Sequence, residues 1–173
     1  MYPVRRSVRV VLLNDRHEVL LMCMDDPRIR SVGESYRGQF WTLIGGQIER
    51  DETVLQAAAR EVFEETGIRE ADIQFGPVVW FEELDLVLRD SPTRVKQQFV
   101  VGRTSASNLT LAHLTEDEPE VVKRIAWFSL DEVRTSEETI YPLLLPVHLP
   151  RIIAGDYPEQ PLDVSKMPEE QSS

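Results

Sequence analysis

Residues 45–68, GGQIERDETVLQAAAREVFEETGI, decide how the rest of this chain is interpreted. The stretch begins with two glycines and continues as an alanine-rich segment that contains no Gly or Pro from Thr53 to Thr66. Such a segment favours a helix, and Gly67 lies where a left-handed C-terminal cap is preferred. We therefore predict a helix over 53–66 that follows a glycine turn.

Three carboxylates, those of Glu61, Glu64 and Glu65, lie at offsets of three and four residues in this helix. At about 100° per residue they converge on one face, while apolar residues are left to pack. The residues expected to pack are Leu55, Ala58, Ala59, Val62 and Phe63. Like charges at this spacing repel, and hard divalent cations that bind oxygen ligands remove the repulsion. These carboxylates indicate either a metal site or a solvated acidic face, and the second is the usual outcome on Glu-rich helices.

The spacing of this stretch resembles the signature of the Nudix hydrolase family. Gly46 is followed by five residues, Glu52, seven residues and then REVFEETGI at 60–68, which matches every fixed position of that signature. Residues 41–46 and 126–133 are also similar to the family's flanking segments. At two positions that the signature does not fix, Ile44 replaces a common proline and Asp51 a common glycine, which bears on loop geometry and substrate choice.

The resemblance implies an α/β/α sandwich with a mixed β-sheet between helices. It also implies a metal-dependent pyrophosphohydrolase that cleaves a diphosphate linkage in a nucleoside diphosphate derivative. The ligands it implies for Mg²⁺ or Mn²⁺ are the carboxylates of Glu61, Glu64 and Glu65 and the backbone carbonyl of Gly45. Arg60 and Glu52 are similar to the family's orienting pair, and Glu61 or Glu64 is expected to polarise the attacking water.

Several alternatives stay open at this point. In the family a downstream glutamate often completes the site, but the sequence does not select among Glu116, Glu118 and Glu120. ADP-ribose, nucleotide sugars, dinucleoside polyphosphates and nucleoside triphosphates, oxidised ones included, are all candidate substrates because loops determine specificity. A non-catalytic nucleotide-sensing Nudix domain would be expected to lack motif acids that this chain retains. An acidic interaction module without a ligand would leave the clustered glutamates unexplained.

Two regions supply candidate substrate-binding residues. Tyr36 and Arg37 belong to the loop-like segment 25–39, which contains Pro27, Gly33 and Gly38. Trp80 and Gln97 fall in two predicted strands, 73–88 and 96–103, where they are candidates to stack on or hydrogen-bond a nucleobase. The alternatives are an ordinary surface loop and the core packing of a half-buried hairpin.

Composition limits the classes of function. With 173 residues, 42% of them hydrophobic, the chain is expected to form one domain over 1–155 and a disordered Pro- and Glu-rich tail over 156–173. The net charge of -11 argues against binding a nucleic-acid polymer, although a metal can attract a small phosphorylated nucleotide. Cys23 is the only cysteine, and no long apolar run or targeting segment is evident, so we expect no membrane association and a cytoplasmic location. The resemblance is compatible with a homodimer.

Overall fold

The computed structural model of the protein describes residues 1–115 and 118–169. Its strands are β1 (Val4–Leu13), β2 (Val19–Met24), β3 (Ile29–Ser31), β4 (Phe40–Gln47), β5 (Ile73–Leu88), β6 (Ser91–Thr104), β7 (Val122–Phe128), β8 (Ile140–Tyr141) and β9 (Leu162–Asp163). Its helices are α1 (Val54–Thr66), α2 (Glu118–Val121), α3 (Leu130–Thr135) and α4 (Leu145–Ile153), with one 3₁₀ turn at Glu70–Asp72. None of these helices has the length and apolar character needed to cross a membrane.

The strands form one mixed sheet in the order β3-β5-β6-β1-β2-β4-β8, with β7 paired to β2 and β9 to β5. Strands β1 and β6 are parallel along the whole of β1, and β5 and β6 form a long antiparallel hairpin. Strand β4 changes partner along its length, because residues 40–43 pair with β2 and residues 44–47 pair with β1. This change places the two glycines of β4 against β1.

The sheet lies between helices on both faces. Side chains alternate along β1, so Val8 and Val10 share a buried cluster with Val62 of α1. Val11 points to the opposite face, where its cluster includes Leu149 of α4. The predicted α/β/α sandwich with a mixed sheet is therefore confirmed.

Helix α1 follows from its own sequence. Thr53 is the N-cap of a capping box, and Gly67 ends the helix with a φ of 78° and donates its N–H to the carbonyl oxygen of Phe63. These caps confirm the predicted bounds. The prediction that Leu55 packs was wrong, because it is 47% exposed, and Phe63 is 38% exposed and stacks on the ring of His113. The small residues Ala57 and Ala58 belong to the buried cluster that α1 shares with β1. Because small alanines form the contact between α1 and the sheet, the larger side chains of Leu55 and Phe63 lie outside that contact.

The expected disordered tail is corrected for residues 156–169. Strand β9 pairs in parallel with β5, and the buried Val164 donates its N–H to the carbonyl oxygen of Phe81. The ring Nε2 of His148 lies 2.8 Å from the carbonyl oxygen of Lys166. One buried valine and a few backbone hydrogen bonds attach this segment despite its polar composition. Residues 170–173 of the expected tail lie outside the described residues.

Val164→Ala should lower the free energy of unfolding by about 2 kcal/mol, because it removes two buried methyl groups and leaves a cavity. Urea unfolding of the full chain measures this. Met167→Ala is the matched control, since Met167 is 65% exposed and its truncation should change stability little. Equal stability of Val164→Ala and the unmodified protein would show that the segment does not pack on the domain.

Candidate active site

The acidic face of α1 lies against the glycines of β4. Glu65 is completely buried, Glu61 is nearly so, and the side chain of Glu64 is 20% exposed. A Cβ on Gly46 would lie 2.5 Å from Oε1 of Glu61, so the absence of a side chain at Gly46 leaves the space that the Glu61 carboxylate occupies. The two glycines lie within strand β4 and not in the predicted glycine turn, and this strand and the helix together bring the acids to one place.

Arg60 connects the acids to one another. Its Nε and Nη2 each donate to one oxygen of the Glu52 carboxylate at 2.8 Å, and Nη2 also donates to the carbonyl oxygen of Gln47 at 2.9 Å. Its Nη1 donates to Glu61 at 2.8 Å and lies 3.4 Å from Oε2 of Glu64. The pKa of Glu52 is lowered by the hydrogen bonds from Arg60, and the pKa of Arg60 is raised by Glu52. The two residues predicted as an orienting pair are thus in direct, two-point contact.

Glu65 is the unusual member of the cluster. Both of its carboxylate oxygens are buried, and neither accepts a hydrogen bond from an N–H or hydroxyl donor of residues 1–115 and 118–169. Burial, and then its proximity to Glu61, raises the pKa of Glu65 well above the ordinary value. A buried carboxylate without a partner is costly, and a divalent cation with oxygen ligands would satisfy it. This donor set fits Mg²⁺ or Mn²⁺.

The carboxylates are not arranged around an ion as they stand. Within residues 1–115 and 118–169, no three His, Cys, Asp or Glu side chains are grouped closely enough to surround one. Glu61 and Glu64 are instead held by Arg60. Rotation of these two side chains would be needed before they and Glu65 could share a cation.

Among the downstream acids that the structure describes, Glu118 is the one whose charge acts on Glu64 and Glu65. It raises the pKa of both Glu64 and Glu65, although burial and Glu61 are the larger causes. Its carboxylate also accepts a hydrogen bond from the Thr115 hydroxyl at 2.8 Å. Glu116 lies outside the described residues. The effect of its charge on Glu64 and Glu65 favours Glu118 over Glu120 as the acid that completes the site.

Divalent cations should stabilise the protein through Glu65. The pKa of Glu65 is raised in the fold. Without a metal, the protein should therefore be most stable below the pKa that this carboxyl has in the unfolded chain, and it should lose stability as the pH rises through the raised pKa. At pH 8, Mn²⁺ at about 100 times its dissociation constant should therefore add about 2.7 kcal/mol. Glu65→Gln should raise the melting temperature of chelator-treated protein at pH 8 and weaken the response to Mn²⁺.

Melting curves at pH 5 and pH 8, with chelator or with Mn²⁺, measure these effects. Glu137→Gln is the matched control because Glu137 is exposed. An unchanged response of Glu65→Gln to Mn²⁺ would show that Glu65 is not a ligand.

Arg60→Lys should lower activity by about 10- to 100-fold, the range typical of residues that orient metal ligands. A lysine keeps the charge but cannot contact both Glu52 oxygens, Glu61 and the Gln47 carbonyl together. Steady-state kinetics against Mn²⁺ concentration measure the change, which should appear as a higher Mn²⁺ requirement. Arg69→Lys, at an exposed arginine beyond α1, is the control. Wild-type kinetics from Arg60→Lys would contradict an orienting role.

The candidate substrate residues of the 25–39 segment make contacts within that segment. The Tyr36 hydroxyl donates to the carboxylate of Asp25, and burial together with this hydrogen bond raises the pKa of Tyr36 to about 12. The Arg37 side chain is 77% exposed and lies 3.3 Å from Glu34. Part of the segment is ordered as β3, which the sequence analysis did not predict. No contact links either residue to the α1 acids among the described residues.

The other two candidates lie inside the fold. Trp80 is 1% exposed and packs against the rings of Phe99 and His148, so the structure assigns it to the core rather than to a nucleobase. Gln97 accepts a hydrogen bond from Arg9 Nε at 3.0 Å and donates to Glu82 at 3.2 Å. Both ends of its amide are therefore engaged within the protein.

Arg9 and Glu82 lie beside the site and were not predicted from the sequence. Arg9 donates from Nη1 to the carbonyl oxygens of Leu43 at 3.1 Å and Gly45 at 3.4 Å. Burial raises the pKa of Glu82. The arginine at position 9, between Val8 and Val10 of β1, was the available signal, because an arginine within a buried strand needs partners.

Comparison with known proteins agrees with the family resemblance of the sequence. The profile of the NUDIX domain family matches residues 3–146. A MutT-like protein of Streptomyces ambofaciens is 35% identical over 109 residues, which are 59% of this chain and 63% of that protein. An RNA pyrophosphohydrolase of Bartonella henselae is 34% identical over 85 residues, covering 46% of this chain and 44% of that protein. The matches thus span less than two thirds of either relative.

Solved structures share the fold at low identity. A MutT protein from Methanosarcina mazei superposes with a TM-score of 0.63 at 22% identity and covers 90% of this chain and 96% of its own. An ADP-ribose pyrophosphatase from Streptococcus suis gives 0.56 at 17% identity, with 92% and 98% covered. An Ap4A hydrolase from C. elegans gives 0.57 at 20% identity, with 87% and 98% covered.

Proposed function

This chain belongs to the NUDIX family of hydrolases, and from that premise we propose that it is a metal-dependent pyrophosphohydrolase acting on a nucleoside diphosphate derivative. The observation that carries the proposal is the buried acidic face of α1, where neither oxygen of Glu65 accepts a hydrogen bond from a donor in the part of the chain that the structure describes. A purely structural helix gains nothing from such a cluster, because unpaired buried carboxylates destabilise a fold. The names of the MutT-like protein and the RNA pyrophosphohydrolase are in keeping with this class.

The residues proposed to hold Mg²⁺ or Mn²⁺ are Glu61, Glu64 and Glu65, together with the backbone carbonyl of Gly45. When bound, such an ion supplies charge neutralisation at the phosphoryl oxygens and lowers the pKa of a water. Arg60 fixes the starting positions of the Glu61 and Glu64 carboxylates from its anchorage on Glu52. A rigid helix gives these groups a defined geometry relative to the substrate.

Glu64 is the proposed acceptor of the proton from the attacking water. Burial, followed by the charge of Glu61, raises the pKa of Glu64, which brings a carboxylate closer to the range useful for proton transfer. Its partial exposure allows water to reach it. Glu118 is the second candidate for this role, because its charge acts on the same cluster.

The test is product release from a panel that contains ADP-ribose, a nucleotide sugar, a dinucleoside polyphosphate, nucleoside triphosphates and an oxidised triphosphate. Each is incubated with the full chain in Mg²⁺, in Mn²⁺ and in chelator. We expect turnover of at least one compound in metal and none in chelator. Tight metal-dependent binding without turnover of any compound would instead favour the nucleotide-sensing alternative.

The proposed partner is a small phosphorylated nucleotide rather than a nucleic-acid polymer, because the chain carries a net charge of -11. We also propose that the protein forms a homodimer, which the family resemblance allows. Sedimentation at several protein concentrations measures it, and a monomer at all of them would remove it.

A further inference from the structure

An arginine of β1 lies at the point where β4 changes its pairing partner. Residues 40–43 of β4 pair with β2 and residues 44–47 pair with β1, so neither ladder continues across the change. A backbone carbonyl that a ladder does not satisfy needs another donor. Nη1 of Arg9 donates to the carbonyl oxygen of Leu43 at 3.1 Å and to that of Gly45 at 3.4 Å. The side chain of Arg9 therefore contacts the backbone of β4 on both sides of the change.

The guanidinium of Arg9 is also held by two residues of the β5–β6 hairpin. Its Nε donates to Oε1 of Gln97 at 3.0 Å, and Nε2 of Gln97 donates to Oε2 of Glu82 at 3.2 Å. Gln97 and Glu82 are both buried. A chain of hydrogen bonds thus runs from β5 through β6 and β1 to the backbone of β4.

Glu82 determines how this chain of hydrogen bonds is oriented. Burial raises the pKa of Glu82, and the hydrogen bond from Gln97 and the charge of Arg9 act in the opposite direction. An ionised carboxylate only accepts hydrogen bonds, so Glu82 turns the amide nitrogen of Gln97 toward itself and the amide oxygen toward Arg9. The position of the guanidinium is consequently fixed from the hairpin side as well as from β4.

The Gly45 carbonyl lies in the part of β4 that faces the acids of α1. A Cβ on the next residue, Gly46, would lie 2.5 Å from Oε1 of Glu61. A glycine has no side chain that could restrict the orientation of its own peptide groups. A carbonyl oxygen has two lone pairs, so a hydrogen bond from Arg9 leaves one of them for a cation. Arg9 can therefore orient the Gly45 carbonyl without blocking it.

Building on the proposed function, we propose that Arg9 is a positioning residue that holds the Gly45 carbonyl oxygen in the orientation a divalent cation requires, and that Gln97 and Glu82 hold Arg9 in place. The cation would be bound by Gly45 and the α1 carboxylates, and Arg9 would act on it only through the carbonyl. An arginine suits this role because its planar guanidinium bonds several acceptors in a fixed geometry.

Two variants that keep a positive charge at position 9 test the proposal, because they change the geometry without removing the repulsion between this charge and a cation. Arg9→Lys cannot contact Gln97 and both carbonyls together. Gln97→Leu removes the acceptor of Arg9 Nε. Each should weaken Mn²⁺ binding by about 10- to 100-fold in calorimetric titration of the full chain. The matched controls, Arg6→Lys and Gln74→Leu, change exposed residues and should bind Mn²⁺ normally.

Two further measurements separate positioning from a role in stability alone. The double variant Glu82→Gln with Gln97→Glu exchanges the two side chains, which keeps an acceptor for Arg9 and a hydrogen bond between β5 and β6. It should regain the Mn²⁺ affinity that Gln97→Leu loses. The NMR chemical shift of the Gly45 carbonyl should respond to Mg²⁺ in the unmodified chain, and in Gln97→Leu it should respond only at about 10- to 100-fold higher Mg²⁺.

A purely structural Arg9 predicts a different outcome. Arg9→Lys and Gln97→Leu would then have lower melting temperatures, while their Mn²⁺ affinity and the Mg²⁺ response of the Gly45 carbonyl would equal those of the unmodified chain. That result, or tighter Mn²⁺ binding by both variants, would overturn the proposal. Failure of the exchanged pair to regain Mn²⁺ affinity would do so as well. If Arg9→Lys does not fold, Gln97→Leu and the exchanged pair decide the question.

The binding assays do not require turnover, so the two proposals fail separately. Mn²⁺ binding that depends on Arg9 and Gln97, without hydrolysis of any compound in the panel, would support the positioning role and contradict the enzyme. Metal-dependent hydrolysis with normal Mn²⁺ affinity in both variants would do the reverse. Absence of Mn²⁺ binding by the unmodified chain would contradict both.

Discussion

Glu64→Gln is expected to lower metal-dependent turnover by about 10²- to 10⁴-fold, the range for loss of a positioned general base. Glutamine keeps the size of the side chain but cannot accept the proton from water, and it is a weaker ligand for a hard cation. The Glu64 side chain is 20% exposed, and its contact with Nη1 of Arg60 is long at 3.4 Å. The fold should therefore tolerate the substitution, and the loss should appear in kcat.

The measurement is kcat and KM at saturating Mn²⁺ on the best compound of the panel, with a melting curve for each variant. Glu137→Gln, a substitution of an exposed glutamate away from α1, should behave as the unmodified protein. Turnover by Glu64→Gln within about threefold of the unmodified chain would remove Glu64 from the chemistry and leave Glu118 as the candidate base.

Gly45→Ala is expected to destabilise the fold by more than about 4 kcal/mol, which places it among the largest single-residue effects. A Cβ at this position would lie 2.0 Å from the carbonyl oxygen of Val8 and 2.9 Å from the Cα of Arg9. Both are backbone atoms of β1, so relief requires separation of β1 from β4. The φ of +155° adds strain for any residue with a Cβ.

Gly46→Ala is the informative companion, because its Cβ would meet the Glu61 carboxylate, with Oε1 at 2.5 Å, rather than the backbone. The end of a flexible side chain can move, so this variant should fold while its Glu61 carboxylate is displaced and its turnover falls. Urea unfolding and steady-state kinetics of both variants measure the contrast. Near-normal stability of Gly45→Ala would mean that β4 does not approach β1 as described.

The motif helix was predictable from local sequence because its determinants are local. The N-cap at Thr53, the C-cap at Gly67 and the acidic spacing lie within one short stretch. The two long strands β5 and β6 were also predicted, at 73–88 and 96–103, whereas β3 was not. The capping box of Ser129 and Glu132 that begins α3 is a local determinant of the same kind as that of α1. Interactions between residues close in sequence therefore allowed the helix and its acidic face to be predicted, but not the residues of other strands that contact them.

Trp80 shows why the substrate residues were harder to predict. Strand β5 has register shifts between Phe75 and Val78 and between Val78 and Trp80, which break the two-residue alternation of faces. Val79 and Trp80 are consequently both buried, and no simple alternating pattern predicts that. The attachment of residues 162–164 to β5 and the role of Glu118 likewise depend on contacts between distant parts of the chain.

Binding of Mn²⁺ by the full chain, measured by calorimetric titration of the unmodified protein and of a variant that combines Glu61→Gln with Glu64→Gln, tests most directly whether the α1 carboxylates form a cation site. We predict saturable binding by the unmodified protein and an affinity at least about 10- to 100-fold weaker in the variant. No binding by the unmodified protein, or equal binding by the variant, would contradict the account and favour an acidic surface without a metal.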